Sequence, residues 1–289
     1  MLTIQNELLK IDIKLKGAEL DSIYHKQHQL EYLWSGDPAV WGKKSPLLFP
    51  IVGTLKEDTY YYEGLAYQLS RHGFAREHDF IVMQQSENSV SLSLKSNEDT
   101  LTKFPFAFNI IVTYTVQEDS LSVSYKVINE DNKLIFFSIG GHPAFKVPLE
   151  NDCNYEDYFL EFDKIENAVR WPVSPEGLIE SLPAPLLENT NRLKLTRELF
   201  QKDALVFKHL TSHQVSLKSE KTTHGLTFDF ASFPYLGIWA AKNADFVCIE
   251  PWYGIADNVT SSQQLPEKEG IQKLEAGLEF EAKWNVQLF

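Results

Sequence analysis

Apolar and polar side chains alternate strictly, every second residue, in segments spread along this chain, and few folds accommodate that pattern. In the last of them, Leu278, Phe280, Ala282, Trp284, Val286 and Leu288 alternate with Glu279, Glu281, Lys283, Asn285 and Gln287. The same period runs through Leu9, Ile11, Ile13 and Leu15, through Val90, Leu92 and Leu94, and through Leu121, Val123, Tyr125 and Val127. Successive side chains of a strand point to opposite faces, so each segment has one face to bury and one to wet. Antiparallel sheets packed face to face satisfy that demand. Turn residues fall where hairpins need them: Glu63-Gly64 separates Thr59–Tyr62 from residues 65–69, and residues 117–120 separate two longer strands. Helical signals are short, at 97–103 and 196–201. Residues 171–195 carry Pro172, Pro175, Gly177, Pro183 and Pro185 and read as a long surface loop, because β-type segments resume after it without a change in composition. No long amphipathic helices separate the strands, which disfavours a parallel α/β fold. The expectation is an all-β chain, a large antiparallel β-sandwich with few short helices, forming one domain over residues 1–289.

The formal net charge of -13 makes nucleic-acid phosphates and anionic lipid surfaces poor partners. Two cysteines, Cys153 and Cys248, make neither a disulfide framework nor a metal-ligand spacing, and both read as buried apolar fillers. The first residues have neither a basic stretch nor an apolar one of the kind a secretory signal needs. No run approaches the ~18 apolar residues of a membrane span. The expected location is the cytoplasm, and Asn258-Val259-Thr260 is then a chance match to a glycosylation acceptor.

Four constellations hold residues that carry chemistry. In Ile139-Gly140-Gly141-His142-Pro143-Ala144-Phe145, a Gly-Gly pair allows unusual backbone geometry and a proline stiffens the next residues, so His142 is either aimed into a cavity or is structural at a tight turn. In Cys248-Ile249-Glu250-Pro251-Trp252-Tyr253, Glu250 follows an apolar strand among aromatics, with Asp257 and Asn258 close behind. It is either a functional carboxylate or a solvated strand end. Arg71-His72-Gly73-Phe74-Ala75-Arg76 flanks a histidine with two arginines, which suits hydroxyl or phosphate binding as well as a basic surface turn. Asp203 precedes the apolar run Ala204-Leu205-Val206-Phe207, as turn residues often do. The other histidines make no metal signature; His209 and His213 are four apart but lack a zincin glutamate, and the residues around them read as strand. Nor is there a dinucleotide fingerprint, a phosphate loop or a serine-hydrolase elbow. Neither metal nor cofactor is expected.

Taken together, HGFAR, GGHPAF, the later aspartate and CIEPW resemble the aldose 1-epimerase (galactose mutarotase) superfamily, and within it the LacX-type branch associated with lactose and galactose utilisation genes. The resemblance begins at Trp41-Gly42-Lys43-Lys44-Ser45-Pro46 and reaches the final strands. It implies the galactose mutarotase-like sandwich and an enzyme that interconverts sugar anomers, with His142 as general acid and Glu250 as general base. It implies that His72 and Asp203 contact the sugar and that Arg76 lines the pocket. One departure stands out. Many relatives carry arginine just after the Phe-Pro-x-x-Gly stretch, where this chain has Thr54, and Lys43, Lys44 or Lys56 are candidates to replace that charge. The partner is then a small sugar, galactose or glucose rather than a 6-phosphate, bound by a monomer or homodimer. Two further readings remain: a hexose-6-phosphate 1-epimerase, favoured if Arg71 and Arg76 both face the pocket, and a non-catalytic sugar-binding protein. A glycosidase using Glu250 and Asp257 ranks lower, because it leaves the histidines without a role.

Overall fold

The computed structural model describes residues 1–289. All but the first of the alternating segments meet in one nine-stranded antiparallel sheet; Leu9–Ile13 pairs in a separate four-stranded one. Its order is Ala184–Lys194, Tyr158–Arg170, Gln214–Ser219, Leu226–Asp229, Glu279–Leu288, Ser120–Asn129, Phe108–Gln117, Ser89–Lys95 and Ile81–Gln85. Register follows from the pattern: Val123 pairs with Trp284, Tyr125 with Ala282, and Val127 with Phe280. The next interface continues the same face, with Val112 opposite Tyr125 and Tyr114 opposite Val123. A one-residue slip would send all these side chains to solvent, so burial itself fixes the pairing. Burying each large apolar side chain contributes about 1.5–3 kcal/mol before entropy is counted.

A second, six-stranded sheet packs on the apolar face of the first. It runs Leu205–Phe207, Tyr235–Trp239, Phe246–Tyr253, Ile139–Gly141 and Leu47–Leu48, with Ala144–Lys146 also paired to Phe246–Tyr253. Its strands are short and mostly covered on both faces, so they lack alternation; in Phe246–Tyr253 only Tyr253 is not buried. The larger apolar core lies between the two sheets. A smaller cluster, including Leu48, Val52, Ile179, Val206, Trp252 and Ala256, covers the other side of the second sheet. A cavity opens on that side, with Ile179, Val206, Trp252 and Ala256 in its wall.

Helix is confined to Glu98–Lys103, capped by Asn97, and four short 3-10 turns at Lys56–Asp58, Ala75–Glu77, Tyr155–Asp157 and Leu265–Glu267. No helix is long and apolar enough to cross a membrane.

Several local expectations need correction. Residues 196–201 form turns without a helix. The first alternating strand stops at Ile13, which leaves Leu15 39% exposed. His209 and His213 lie in the connection between strands, not within one. The expected loop at 171–195 ends earlier, because Ala184–Lys194 is a full strand. It hides its nature because it forms the sheet edge, where Pro185 needs no ladder partner, and because its pairing is broken by register shifts. What remains as loop, 172–183, folds back over the second sheet through bridges from Val173 to Ile179 and from Ile179 to Asn258.

Candidate active site

The chain places His142 at a crossing. Ile139–Gly141 and Ala144–Lys146 both pair with Phe246–Tyr253, and Gly140 lies opposite Trp252 while Ala144 lies opposite Cys248. Residue 142 therefore falls opposite Glu250. Its Nε2 is 3.3 Å from Glu250 Oε2, and both side chains are almost wholly buried. The glycines serve close approach rather than unusual dihedrals. A Cβ on Gly140 would stand 2.6 Å from the Trp252 ring, and one on Gly237 would stand 2.2 Å from it. Only glycine on both sides lets the indole lie flat against the sheet beside Glu250.

The cavity, of about 310 Å³, lies over this pair. That is the lower end of the ~300–1,000 Å³ usual for small-molecule sites. The sequence-derived candidates His142, Glu250, His72, Asp203 and Arg76 all line it. So do Arg71, Trp41, Trp239 and Trp252, together with Val173, Gly177 and Ile179 from the loop. Trp41 stacks on the His142 ring at 5.0 Å, and Trp239 and His72 meet it edge-on at 5.6 Å each. The tryptophans give the cavity broad apolar faces.

The pair is buried without being satisfied. His142 Nδ1, Glu250 Oε2 and the neighbouring Trp252 Nε1 have no hydrogen-bond partner. Burial disfavours both charges. It pushes His142 down to about 3, helped by the positive charges of Arg71 and Arg76. It raises Glu250 well above the carboxylate range, against the pull of Arg71. Both shifts disfavour the imidazolium–carboxylate ion pair in the free site, so a proton shared by the two is held on Glu250 rather than on His142.

His72 and Asp203 both adopt left-handed backbone, with φ of 70° and 81°. Such strain in non-glycine residues persists only where the surroundings impose it. The ring of His72 is buried and kept neutral, mainly by desolvation. Its Nδ1 accepts from the Gly53 N–H at 3.1 Å, so the ring proton must sit on Nε2. Arg71 Nε lies 3.3 Å from that same Nε2, donor facing donor. The Arg71 guanidinium also reaches both Asp203 oxygens at 3.3 Å, and Arg76 Nη2 donates to the Arg71 carbonyl at 2.8 Å.

The lysines considered as substitutes for the family arginine do not fill that role. Lys43 is bound to Glu77 and Lys44 to Asp21, and neither they nor Lys56 line the cavity. Arg71 is the cation at that place: a Cβ on Gly177 would stand 2.6 Å from Thr54 Oγ1 and 3.7 Å from Arg71 Nη1, so both occupy one corner. Asp257 is likewise not a second catalytic carboxylate. It is fully engaged in a buried ion pair with Lys268 at 2.8 Å.

Sequence patterns did not disclose Trp41, Trp239 and the loop residues as pocket walls, since they come from segments far apart in the chain. Nor did they bring Cys248 toward His142 and Glu250. It is a buried free thiol as expected, but its sulfur lies within 4.8 Å of ligand atoms on both.

Comparison with known proteins gives a consistent result. The model of the family described as aldose 1-epimerase matches residues 1–265. The chromosomal LacX protein of Lactococcus lactis subsp. lactis is 36% identical over 283 residues, covering 94% of this chain and 93% of that one. A structure described as a galactose mutarotase related enzyme, from Lactobacillus acidophilus, superposes with a TM-score of 0.96 at 33% identity, covering 100% of this chain and 97% of that one. A galactose mutarotase-like protein from Lactobacillus casei ATCC 334 gives 0.94 at 34% identity, with both chains fully covered.

Proposed function

The chain belongs to the aldose 1-epimerase family, and on that premise we propose that it interconverts the α and β anomers of an aldohexose, using His142 and Glu250 to open and reclose the ring. The observation that carries this reading is the unsatisfied pair itself, 3.3 Å apart in the wall of a sugar-sized cavity.

Ring opening removes the proton from O1, delivers a proton to the ring oxygen O5 and breaks the C1–O5 bond. One group must accept while another donates. With His142 as acid and Glu250 as base, the cycle starts from imidazolium and carboxylate. After opening, His142 is neutral and Glu250 is protonated. Rotation about C1–C2 and closure on the other face run the transfers backward. Opening therefore amounts to moving the pair's single proton from His142 to Glu250, and the free site already favours that second state. Arg71, whose charge draws the Glu250 pKa down, offsets part of the burial penalty on the carboxylate. The chemistry consists of proton transfers alone and requires no cofactor. His72 Nε2–H and Arg71 donate to substrate hydroxyl oxygens, and Asp203 accepts from a hydroxyl.

A neutral hexose is favoured because Asp203 already engages Arg71. The 6-phosphate is the second reading, and both arginines lining one cavity speak for it. NMR anomer exchange with glucose, galactose and their 6-phosphates, at two ionic strengths, tests both. Exchange above the spontaneous rate supports the activity. A preference for phosphates that fades with salt selects the second substrate. No acceleration with any aldose overturns the reading.

A further inference from the structure

Cys248 has no part in these proton transfers, yet it stands two residues before Glu250 on one strand and so shares its face. His142, Cys248 and Glu250 each present one potential ligand atom, and these lie within 4.8 Å of one another. All three residues are buried, and Glu250 Oε2 and His142 Nδ1 lack partners. Tetrahedral zinc with bonds of about 2.0–2.3 Å separates its ligand atoms by roughly 3.3–3.7 Å. His142 and Glu250 already stand at 3.3 Å, and the Cys248 sulfur lies within 4.8 Å of both, so the set needs only to contract by about an ångström around the ion.

The donors select the ion. Magnesium and calcium take oxygen shells, whereas one nitrogen, one sulfur and one carboxylate oxygen suit zinc and its neighbours. Three protein ligands with a cavity on the fourth side resemble an open zinc site rather than a closed structural one. Charge also balances: a divalent cation, a thiolate, a carboxylate and a neutral imidazole sum to zero, which a buried position tolerates.

We propose that His142, Cys248 and Glu250 form a site for a thiophilic divalent cation of the zinc type, which shuts the enzyme off by occupying its acid and base. Binding breaks the Cys248 S–H bond and releases that proton, and any proton on Glu250, to solvent as the metal–ligand bonds form. Inhibition rests on the proposed epimerase reading; the binding itself does not.

The test is titration of the full-length protein with Co²⁺, read by the near-ultraviolet thiolate-to-cobalt charge-transfer band. One equivalent is expected to produce the band, and Zn²⁺ to abolish it by displacement. Cys248→Ala should lack the band. It should also need about 100-fold or more Zn²⁺ for half-inhibition relative to its own metal-free rate, since even second-shell partners of metal ligands count for about 10–100-fold. Glu250→Gln, isosteric and measured by the band alone, should keep the band but require more Co²⁺. No band in the wild-type protein, or one that persists in Cys248→Ala, overturns the proposal. Because the band needs no turnover, it decides the site even if no sugar is epimerised. His28→Ala, in the separate cluster of His25, His28 and His224, should leave the titration unchanged. A loss of the band there would refute the assignment.

Discussion

Lys268 and Asp257 meet at 2.8 Å with both side chains 3% exposed, and both carboxylate oxygens of the pair are used. Lys268 also donates to the Ile255 carbonyl at 2.7 Å, and Asp257 Oδ2 accepts from the Lys56 N–H at 3.0 Å. The Asp257 backbone bonds to Thr54 and Ile179, so the pair ties three segments of the cavity wall together. His142 and Glu250 are as deeply buried in the same region, but their 3.3 Å contact leaves Nδ1 and Oε2 unpartnered. A buried polar group without a partner costs stability. One pair has therefore been completed for structure and the other left incomplete toward a cavity, and on the proposed function that distinction separates scaffold from chemistry.

The strongest way to break that distinction is to neutralise each pair in turn. Glu250→Gln and His142→Asn should each slow anomer exchange by about 10²–10⁴-fold, the usual worth of one acid or base. Their thermal midpoints should be no lower than that of the wild type, because no satisfied interaction is lost. A clear drop in midpoint would make the pair structural. Lys268→Met should do the reverse. It strands the Asp257 carboxylate and should cost about 3–5 kcal/mol in urea unfolding, with exchange per folded molecule much less affected. Stability within about 1 kcal/mol of wild type, the exposed-pair value, would show the pair contributes little.

Smaller effects sharpen the picture. Arg71→Ala removes a charged donor from the sugar side of the pocket and should raise KM by roughly 10–100-fold while kcat changes much less. A fall in kcat with KM unchanged would instead place Arg71 in the proton transfers. The pH profile should show the least change. The working pair carries one proton. It gains a second only near the depressed His142 value of about 3 and loses the last only above the raised Glu250 value. Between those limits kcat/KM should be flat, without the step near pH ~6.5 that an exposed histidine would give. Such a step would show that the imidazole titrates as if solvated.

The central strands of the nine-stranded sheet were legible because one wet face and one dry face write an alternation into them, as in Leu278 to Leu288. The second sheet was legible mainly through its motifs. Its strands are dry on both faces, so Phe246-Val247-Cys248-Ile249 shows only apolar content, and Glu250 stands out as the exception. The 184–194 strand was obscured by Pro183 and Pro185, which an edge tolerates. His142, Glu250, His72, Asp203 and Arg76, named from four separate motifs, line one cavity. The charge beside Thr54 came from Arg71 rather than from a lysine, because the guanidinium shares a corner with Thr54 only after folding. The Lys268–Asp257 tie joins two loops and leaves no periodic trace.

The central claim is that His142 and Glu250 act as one unit that shuttles a single proton. The direct test is NMR anomer exchange with His142→Asn, Glu250→Gln and the double variant, each shown to be folded. Groups that work as a unit are strongly non-additive, so the double variant should be about as slow as the slower single variant. If the two losses multiply, or if either single variant retains near-normal rates, the pair does not share a proton and the account fails.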